Sequence, residues 1–459
     1  MNRRFDAIVI GAGQAGPPLA GRLTGAGMSV AIIERKLFGG TCVNTGCMPT
    51  KTLVASAYAA HVARRAADYG VMLGAPVRID MARVKARADT VSANARAGVE
   101  SSLRGMKGCT VVQGHARFIV PVTVEVGDDQ LIAPRIFINV GGRAVVPNLP
   151  GVDQITYLTN ASILMLDRVP EHLVIIGGSY IGLEFAQMYR RFGAEVTVVE
   201  MSARLVAHED EDVSQTIREI MEGEGITVRT GAECIRFAPH TKGIAVGVDC
   251  TEGDPEIIAS DVLLAVGRHP NTDDLGLDKA GVAMDARGYI KVDDALATST
   301  PGIWALGDCN GRGAFTHTAY NDFEIVAANL LNGEARKVSD RLLGYALYID
   351  PPLGRVGMTE AAARASGRPL LVGFRPMSRV GRAVEKDETQ GLMKLVVDAE
   401  TQRILGAAIL GVGGDEAIHG ILDVMNAGLP YTALKRAMPI HPTVSELIPT
   451  VLGDMVAAS

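Results

Sequence analysis

Aromatic side chains are sparse in this 459-residue chain, 5% of it with a single tryptophan, so it offers no stacking surface for nucleic-acid bases. A basic excess is also missing. Lys and Arg number 45 against 51 Asp and Glu, and the net charge of −6 repels a phosphate backbone, so no nucleic-acid partner is expected. No apolar run approaches the ~20 residues that span a bilayer, and no membrane association is expected. Cysteines are few, six in all, and no second Cys or His pair with ligand spacing accompanies the one close pair, which argues against zinc. The opening Met1-Asn2-Arg3-Arg4 and the short apolar run behind it look superficially like a signal peptide. They lead into a glycine-rich turn rather than a cleavage site, so a cytoplasmic protein is expected.

Glycine, by contrast, is abundant at 52 residues, as suits an α/β protein with many tight strand-to-helix turns. The length allows roughly three domains at ~150 residues each. Ala7-Ile8-Val9-Ile10 has the continuous apolar character of a buried parallel strand and runs directly into Gly11-Ala12-Gly13-Gln14-Ala15-Gly16. In this dinucleotide fingerprint the first glycine makes the turn, the second admits a pyrophosphate to the backbone, and the third lets helix and strand pack closely. A second strand, Ser29 to Ile33, ends in Glu34, eighteen residues after Gly16, where an acid binds a ribose hydroxyl. Pro17 and Pro18 remove N–H donors from the first turn of the helix, where they are tolerated.

The same unit returns. His172 to Ile176 leads into Gly177-Gly178-Ser179-Tyr180-Ile181-Gly182, and a strand from Ala194 closes on Glu200. Gly11, Gly16 and Glu34 are each displaced by 166 residues to Gly177, Gly182 and Glu200, the mark of a duplicated unit that binds a second dinucleotide. Ser179 in place of the central glycine is expected to push that pyrophosphate slightly outward.

Between the two units lies Gly40-Thr41-Cys42-Val43-Asn44-Thr45-Gly46-Cys47-Met48-Pro49-Thr50-Lys51. Gly46 permits a sharp turn and Pro49 favours a helix start, so Cys42 and Cys47 can reach disulfide distance. A thiolate at Cys47 would gain from the helix N-terminus and from Lys51, four residues on. Taken alone, the pair is equally open to a structural disulfide or two unpaired thiols.

Further on, 228–266 reads as strands with a turn at Glu252-Gly253-Asp254-Pro255, and Val266-Gly267-Arg268-His269-Pro270-Asn271 as a turn handing the chain back to the first unit. Ile303 to Leu306 reads as a strand ending in Gly307-Asp308, an acid fit for a polyol chain or for a plain helix cap. A helix over 319–331 follows. The last ~120 residues change character: alternating runs at 392–397 and 404–410 suggest an antiparallel sheet flanked by helices near 359–366 and 415–427, most simply a dimerisation module. In the closing His441-Pro442-Thr443-Val444-Ser445-Glu446, Glu446 can orient the imidazole, although taken alone these residues read first as an ordinary surface histidine.

With these residues assembled, the chain closely resembles the class I pyridine nucleotide-disulfide oxidoreductases over its whole length. The resemblance rests on Gly40-Thr41-Cys42-x4-Cys47-x-Pro49-x-Lys51 and His441-Pro442-Thr443-x-x-Glu446. It implies an α/β fold of two Rossmann-like domains plus a C-terminal α+β dimerisation domain. FAD would be bound by 1–150 and 271–339, NAD(P)H by 151–270, and the interface formed by 340–459. By the same resemblance, Cys47 faces the flavin, Cys42 is the exchange thiol, Lys51 pairs with Glu184 near the flavin, and Gly307-Asp308 holds the ribityl chain. Gly267 lies at the cofactor, Tyr180 matches a gating tyrosine over the nicotinamide, and His441 with Glu446 acts as an acid-base pair across a homodimer interface. Glu200 favours NADH, with Arg204 nearby as a partial counterweight that leaves NADPH possible. Thr45 and Met48-Pro49-Thr50 look like the mercuric-reductase-like and reactive-chlorine-resistance branch. There is no cysteine after Cys309, whereas mercuric enzymes use a C-terminal pair. The expected activity is therefore FAD-dependent transfer of electrons from NAD(P)H to a disulfide or thiol-reactive metal. Lipoamide dehydrogenase, glutathione reductase, transhydrogenase and a non-catalytic flavin-binding sensor or subunit are the alternatives.

Overall fold

A computed structural model describes residues 2–249 and 253–458. Its first sheet has five parallel strands in the order Ile303–Ala305, Ile136–Ile138, Ala7–Ile10, Val30–Glu34, Cys109–Gln113. Every residue of Ala7–Ile10 and Val30–Glu34 is buried, because both faces are covered. Ala7, Val9, Val30 and Ile32 cluster with the helix residues Leu19 and Leu23, and Ile8, Ile10, Ala31 and Ile33 with Phe118, Val124 and Leu131 of antiparallel strands. The chain steps outward from Ala7–Ile10 on one side and returns on the other, so the strand order reverses between Ala7–Ile10 and Ile136–Ile138. Ligands bind open α/β sheets at such a point. Here Gly11 has φ +105° and a Cβ on it would lie 2.2 Å from the carbonyl oxygen of Asn139, so a side chain at this turn is excluded.

The second sheet repeats the plan with four parallel strands, Thr227–Arg229, Glu195–Val199, His172–Ile176 and Asp261–Leu264. Duplication extends to individual hydrogen bonds. Ala12 N–H donates to one oxygen of Glu34 at 3.0 Å and Lys36 N–H to the other at 2.8 Å; 166 residues on, Gly178 and Ser202 donate to Glu200 at 2.6 and 2.7 Å. In both units the acid thus ties its own glycine loop to the strand end.

The region read as strands from 228 onward forms an antiparallel three-stranded sheet, Glu233–His240, Gly243–Asp249 and Glu256–Ala259. Glu252 of the expected turn lies outside the described residues. The segment expected to be only a turn after Val266 contains a short strand, Arg268–Pro270, paired antiparallel with Gly142–Ala144, because this is where the chain crosses between the two units. The expected 319–331 helix begins earlier, at Thr316, since Thr318 Oγ1 accepts from Phe315 N–H and donates to Phe315 O.

Six strands, all neighbours antiparallel, build the C-terminal sheet: Gly344–Leu347, Leu353–Gly357, Ile404–Leu410, Leu392–Asp398, Leu370–Pro376 and Val456–Ala457. Its topology is as expected, but the alternation is not. All seven residues of Leu392–Asp398 are buried, because Met393, Leu395 and Val397 pack on Ile418, Ile421, Ile448 and Val451 while Leu392 packs on the other face with Leu183 and Phe185. Lys394 on this strand is 4% exposed, and ion pairs with Asp210, Asp212 and Glu360 compensate its burial.

Candidate active site

Gly39 and Gly40, at φ +90° and +62°, bend the chain into a short helix, Gly40–Asn44. A Cβ on Gly40 would sit 2.9 Å from Gly13 Cα, so the cysteine segment lies directly against the first glycine loop. Thr41 accepts from Thr45 N–H at 2.9 Å, and a side chain on Gly46 would meet Thr41 O at 2.8 Å. That tight return brings the two cysteines side by side. A second helix, Cys47–Arg64, starts at Cys47 itself, with Thr50 N–H donating to Gly46 O at 3.1 Å.

Cys42 and Cys47 are free thiols here. Their proton equilibria are driven apart. A hydrogen bond from Cys42 holds the Cys47 thiol down to about 6 against the opposing effect of burial, with Thr316 and the Lys51 charge helping. The Cys42 thiol is pushed up by its hydrogen bond to Cys47, by burial and by the charge on Cys47. One negative charge shared by two sulfurs, resting on Cys47, is the physical outcome. Thr316 Oγ1 lies 3.3 Å from Cys47 Sγ.

Behind the thiols, Lys51 Nζ meets Glu184 Oε2 at 2.6 Å. Glu184 stands on the buried helix Tyr180–Phe192, is 4% exposed, and also accepts from Tyr348 N–H at 3.0 Å. Tyr180 opens that helix and packs on Phe315, ring centroids 5.6 Å apart. Ser179 precedes it in an extended conformation at φ −106°, which a side chain tolerates where a left-handed turn would not. Gly177 repeats the steric logic of Gly11, its Cβ position lying 2.5 Å from Ala265 O, and a Cβ on Gly182 would lie 2.0 Å from Gly177 O. Gly267 has φ +128°. Asp308 sits in a 3-10 turn, Gly307–Asn310, rather than capping a helix, and its carboxylate lies 3.3 Å from Arg268 Nε.

The glycine loops fit a dinucleotide. The N–H groups of Gly13, Gln14 and Ala15 have no protein acceptor among the described residues, and the Cβ position on Gly13 has nothing closer than 3.4 Å, so a phosphate can approach the backbone. Each of Glu34 and Glu200 accepts one backbone N–H per oxygen, one from its glycine loop and one from two residues beyond the acid, and keeps acceptor capacity for a ribose hydroxyl.

His441 and Glu446 are brought together, Nδ1 to Oε2 at 2.9 Å, with the histidine side chain 80% exposed and the glutamate 15%. Thr443 holds the loop, donating to Ile440 O and accepting from Glu446 N–H. Among the described residues, no hydrogen bond or ion pair joins His441 to either cysteine within the chain.

Four residues at the site had no role assigned to them from the sequence. Asn139 is 7% exposed, and its side-chain nitrogen donates to Gly11 O and lies 3.2 Å from a Cβ position on Gly16. Thr316, Phe315 and Tyr348 come from segments with no motif of their own; only the fold puts them beside Cys47, Tyr180 and Lys51.

The family model described as pyridine nucleotide-disulphide oxidoreductase matches residues 5–322, and that of the family's dimerisation domain matches residues 344–452. The chain is 36% identical over 451 residues to a probable pyridine nucleotide-disulfide oxidoreductase, RclA, of Escherichia coli, covering 96% of this chain and 97% of that one. It is 32% identical to a mercuric reductase of Bacillus cereus, covering 97% of this chain and 70% of that one. It is 33% identical to a dihydrolipoyl dehydrogenase of Thermus scotoductus, covering 97% and 96%. Among solved structures, the Cu(II) complex of the HOCl-induced flavoprotein disulfide reductase RclA from Escherichia coli superposes with a TM-score of 0.89 at 35% identity, covering 98% of this chain and 99% of that one.

Proposed function

Because the chain belongs to the pyridine nucleotide-disulfide oxidoreductase family, whose enzymes use FAD and NAD(P)H, we propose that it carries electrons from NADH through the Cys42/Cys47 pair to a disulfide or a thiol-reactive metal ion. In this reading, 1–150 and 271–339 hold FAD, 151–270 holds the nicotinamide nucleotide, and 340–459 joins two copies into a homodimer. The single observation that carries it is the placement of two free thiols, Cys42 and Cys47, at the start of the helix Cys47–Arg64 and against the first glycine loop, with Lys51 paired to the buried Glu184 behind them.

Bound FAD supplies the two-electron relay between the nicotinamide and the sulfurs. Gly11, Gly13 and Gly16 would admit its pyrophosphate to the backbone, Gly40 and Thr41 would hold the cysteines against it, and Glu34 would take the ribose and Asp308 the ribityl chain. Tyr180 would line the nicotinamide pocket, and Gly177, Ser179 and Gly182 would hold the second pyrophosphate. Cys47 keeps its charge beside Lys51. Cys42 gives up its proton to His441 of a second copy, oriented by Glu446, and attacks one sulfur of the acceptor disulfide. The displaced sulfur leaves as a thiol with that proton; the Cys47 thiolate then attacks the Cys42 sulfur, releasing the second half of the acceptor as a thiolate and re-forming the Cys42–Cys47 bond. Glu200 accepts from Gly178 N–H and Ser202 N–H and opposes a 2′-phosphate, while Arg204 is engaged by Ala207 O and Glu209 O at 3.2 and 3.1 Å, which favours NADH. A dithiol centre of this kind suits a reducing, cytoplasmic compartment. The test is anaerobic titration of the holoenzyme with NADH, followed by a turnover panel of dihydrolipoamide, glutathione disulfide, Hg(II), Cu(II) and quinones. A long-wavelength thiolate band after two electrons is expected, and disulfide or metal turnover that survives Cys42→Ser refutes the exchange-thiol role.

A further inference from the structure

Thr316 is the first residue of the helix Thr316–Asn332, and its hydroxyl lies 3.3 Å from Cys47 Sγ. Its neighbours on both sides are locked. Phe315 is sandwiched between Tyr180, at 5.6 Å, and Tyr345, parallel to it at 5.6 Å. His317 stacks on Phe315 at 5.3 Å and places Nε2 2.8 Å from Gly344 O. The backbone that carries Thr316 is therefore held from the second nucleotide unit and from the C-terminal sheet at once.

We propose that Thr316 is a positioning residue of the redox centre, donating its hydroxyl proton to the Cys47 thiolate and thereby holding that sulfur in its charged form. The proposal rests on the reading of Cys42 and Cys47 as the redox pair. A thiolate can only accept, so once Cys47 is charged the shared hydrogen bond runs from oxygen to sulfur. The other titratable groups facing Cys47 are Cys42, Lys51, Tyr180 and Tyr348, with Glu184 behind Lys51. Lys51 has its field partly cancelled by Glu184 at 2.6 Å, and both tyrosines are themselves weak acids that disfavour a neighbouring negative charge when ionised. Thr316 is thus the neutral donor whose proton is free for the sulfur, and its presence also lowers the proton affinity of Cys42.

Thr316→Val and Thr316→Ala remove the hydroxyl, and Thr316→Ser retains it. The readout is the pH titration of the long-wavelength thiolate band in the two-electron-reduced holoenzyme, alongside flavin content and Tm. The Val and Ala variants are expected to titrate about one pH unit higher than the unaltered protein, the weight of one hydrogen bond to a charged group, with Ser restoring the original midpoint. Val or Ala titrating with the unaltered protein overturns the proposal. Loss of flavin or of folding in both hydroxyl-free variants also overturns it, since a residue that only orients a thiolate does not carry the fold. An unaltered protein without the band at all defeats the redox-pair reading instead.

Discussion

Lys51 Nζ stands 2.6 Å from Glu184 Oε2 and 4.6 Å from the centre of the Tyr348 ring, whose backbone N–H donates to the other Glu184 oxygen. This bridge joins the cysteine-bearing helix to the second unit's helix and to the start of the C-terminal domain. Lys51→Met leaves Glu184 charged and 4% exposed. The expected loss is about 2 kcal/mol, less than for a fully buried pair because Lys51 is a third exposed. A urea midpoint equal to that of the unaltered protein would show that the carboxylate is compensated elsewhere.

The cysteine pair makes the reduced form sensitive to pH. Cys47 is lowered from its ordinary 9.0 to about 6, so its contribution to stability is complete above 9.0 and is lost as pH falls through about 6. Cys42 is raised, so above 9.0 the unfolded chain loses a proton that the folded chain keeps, and stability declines again. The urea midpoint of the reduced protein should rise between these two pH values. Cys47→Ser should remove the rise, and a rise of the same size in that variant contradicts the assignment of the charge.

If His441 works across the dimer, two inactive proteins complement each other. His441→Ala should lower disulfide turnover by about 10²–10⁴-fold, the usual weight of a proton-transfer group. Cys42→Ser should abolish it. Mixed by co-refolding, the two give hybrids in half of the dimers, each with one intact site of two, so about a quarter of the original activity returns. No recovery from verified hybrids places histidine and cysteine in the same chain.

Glu200 accepts from Gly178 and Ser202 at the mouth of the second unit. Glu200→Ala removes a negative charge that opposes a 2′-phosphate. The ratio of kcat/KM for NADPH over NADH should rise about tenfold, the equivalent of ~1.4 kcal/mol. Steady-state kinetics with both nucleotides decide it, and an unchanged ratio assigns the selectivity to another residue.

Much of this architecture could be read from local patterns. Strand, glycines, helix and acid occur in one stretch of some thirty residues because the loop they build is local, and the offset of 166 reproduces even the hydrogen bonds of Glu34 and Glu200. His441 and Glu446 are five positions apart and meet at 2.9 Å. Alternation failed as a guide to Leu392–Asp398, since a run buried on both faces carries no polar side to reveal its period. The strand Arg268–Pro270 was missed because its partner, Gly142–Ala144, lies more than a hundred residues earlier and imposes the pairing. Asn139 opens a segment that stands where members of the family have Ala-Thr-Gly, a change the sequence could give no role, and only its approach to Gly11 and Gly16 explains it.

By itself the amino-acid order determined two nucleotide loops, a cysteine pair at a helix start and a terminal His-Glu pair, each made by residues near enough in the chain for backbone geometry to join them. Tertiary structure alone decided that Thr316 would meet Cys47, across 269 residues, and the pairing of Lys51 with Glu184, across 133, was expected from the family resemblance and from no local pattern. A short-range motif carries no information about such partners. They are chosen by how helices pack on the two sheets, and that packing is what gathers Lys51, its carboxylate partner and Thr316 around the cysteine pair.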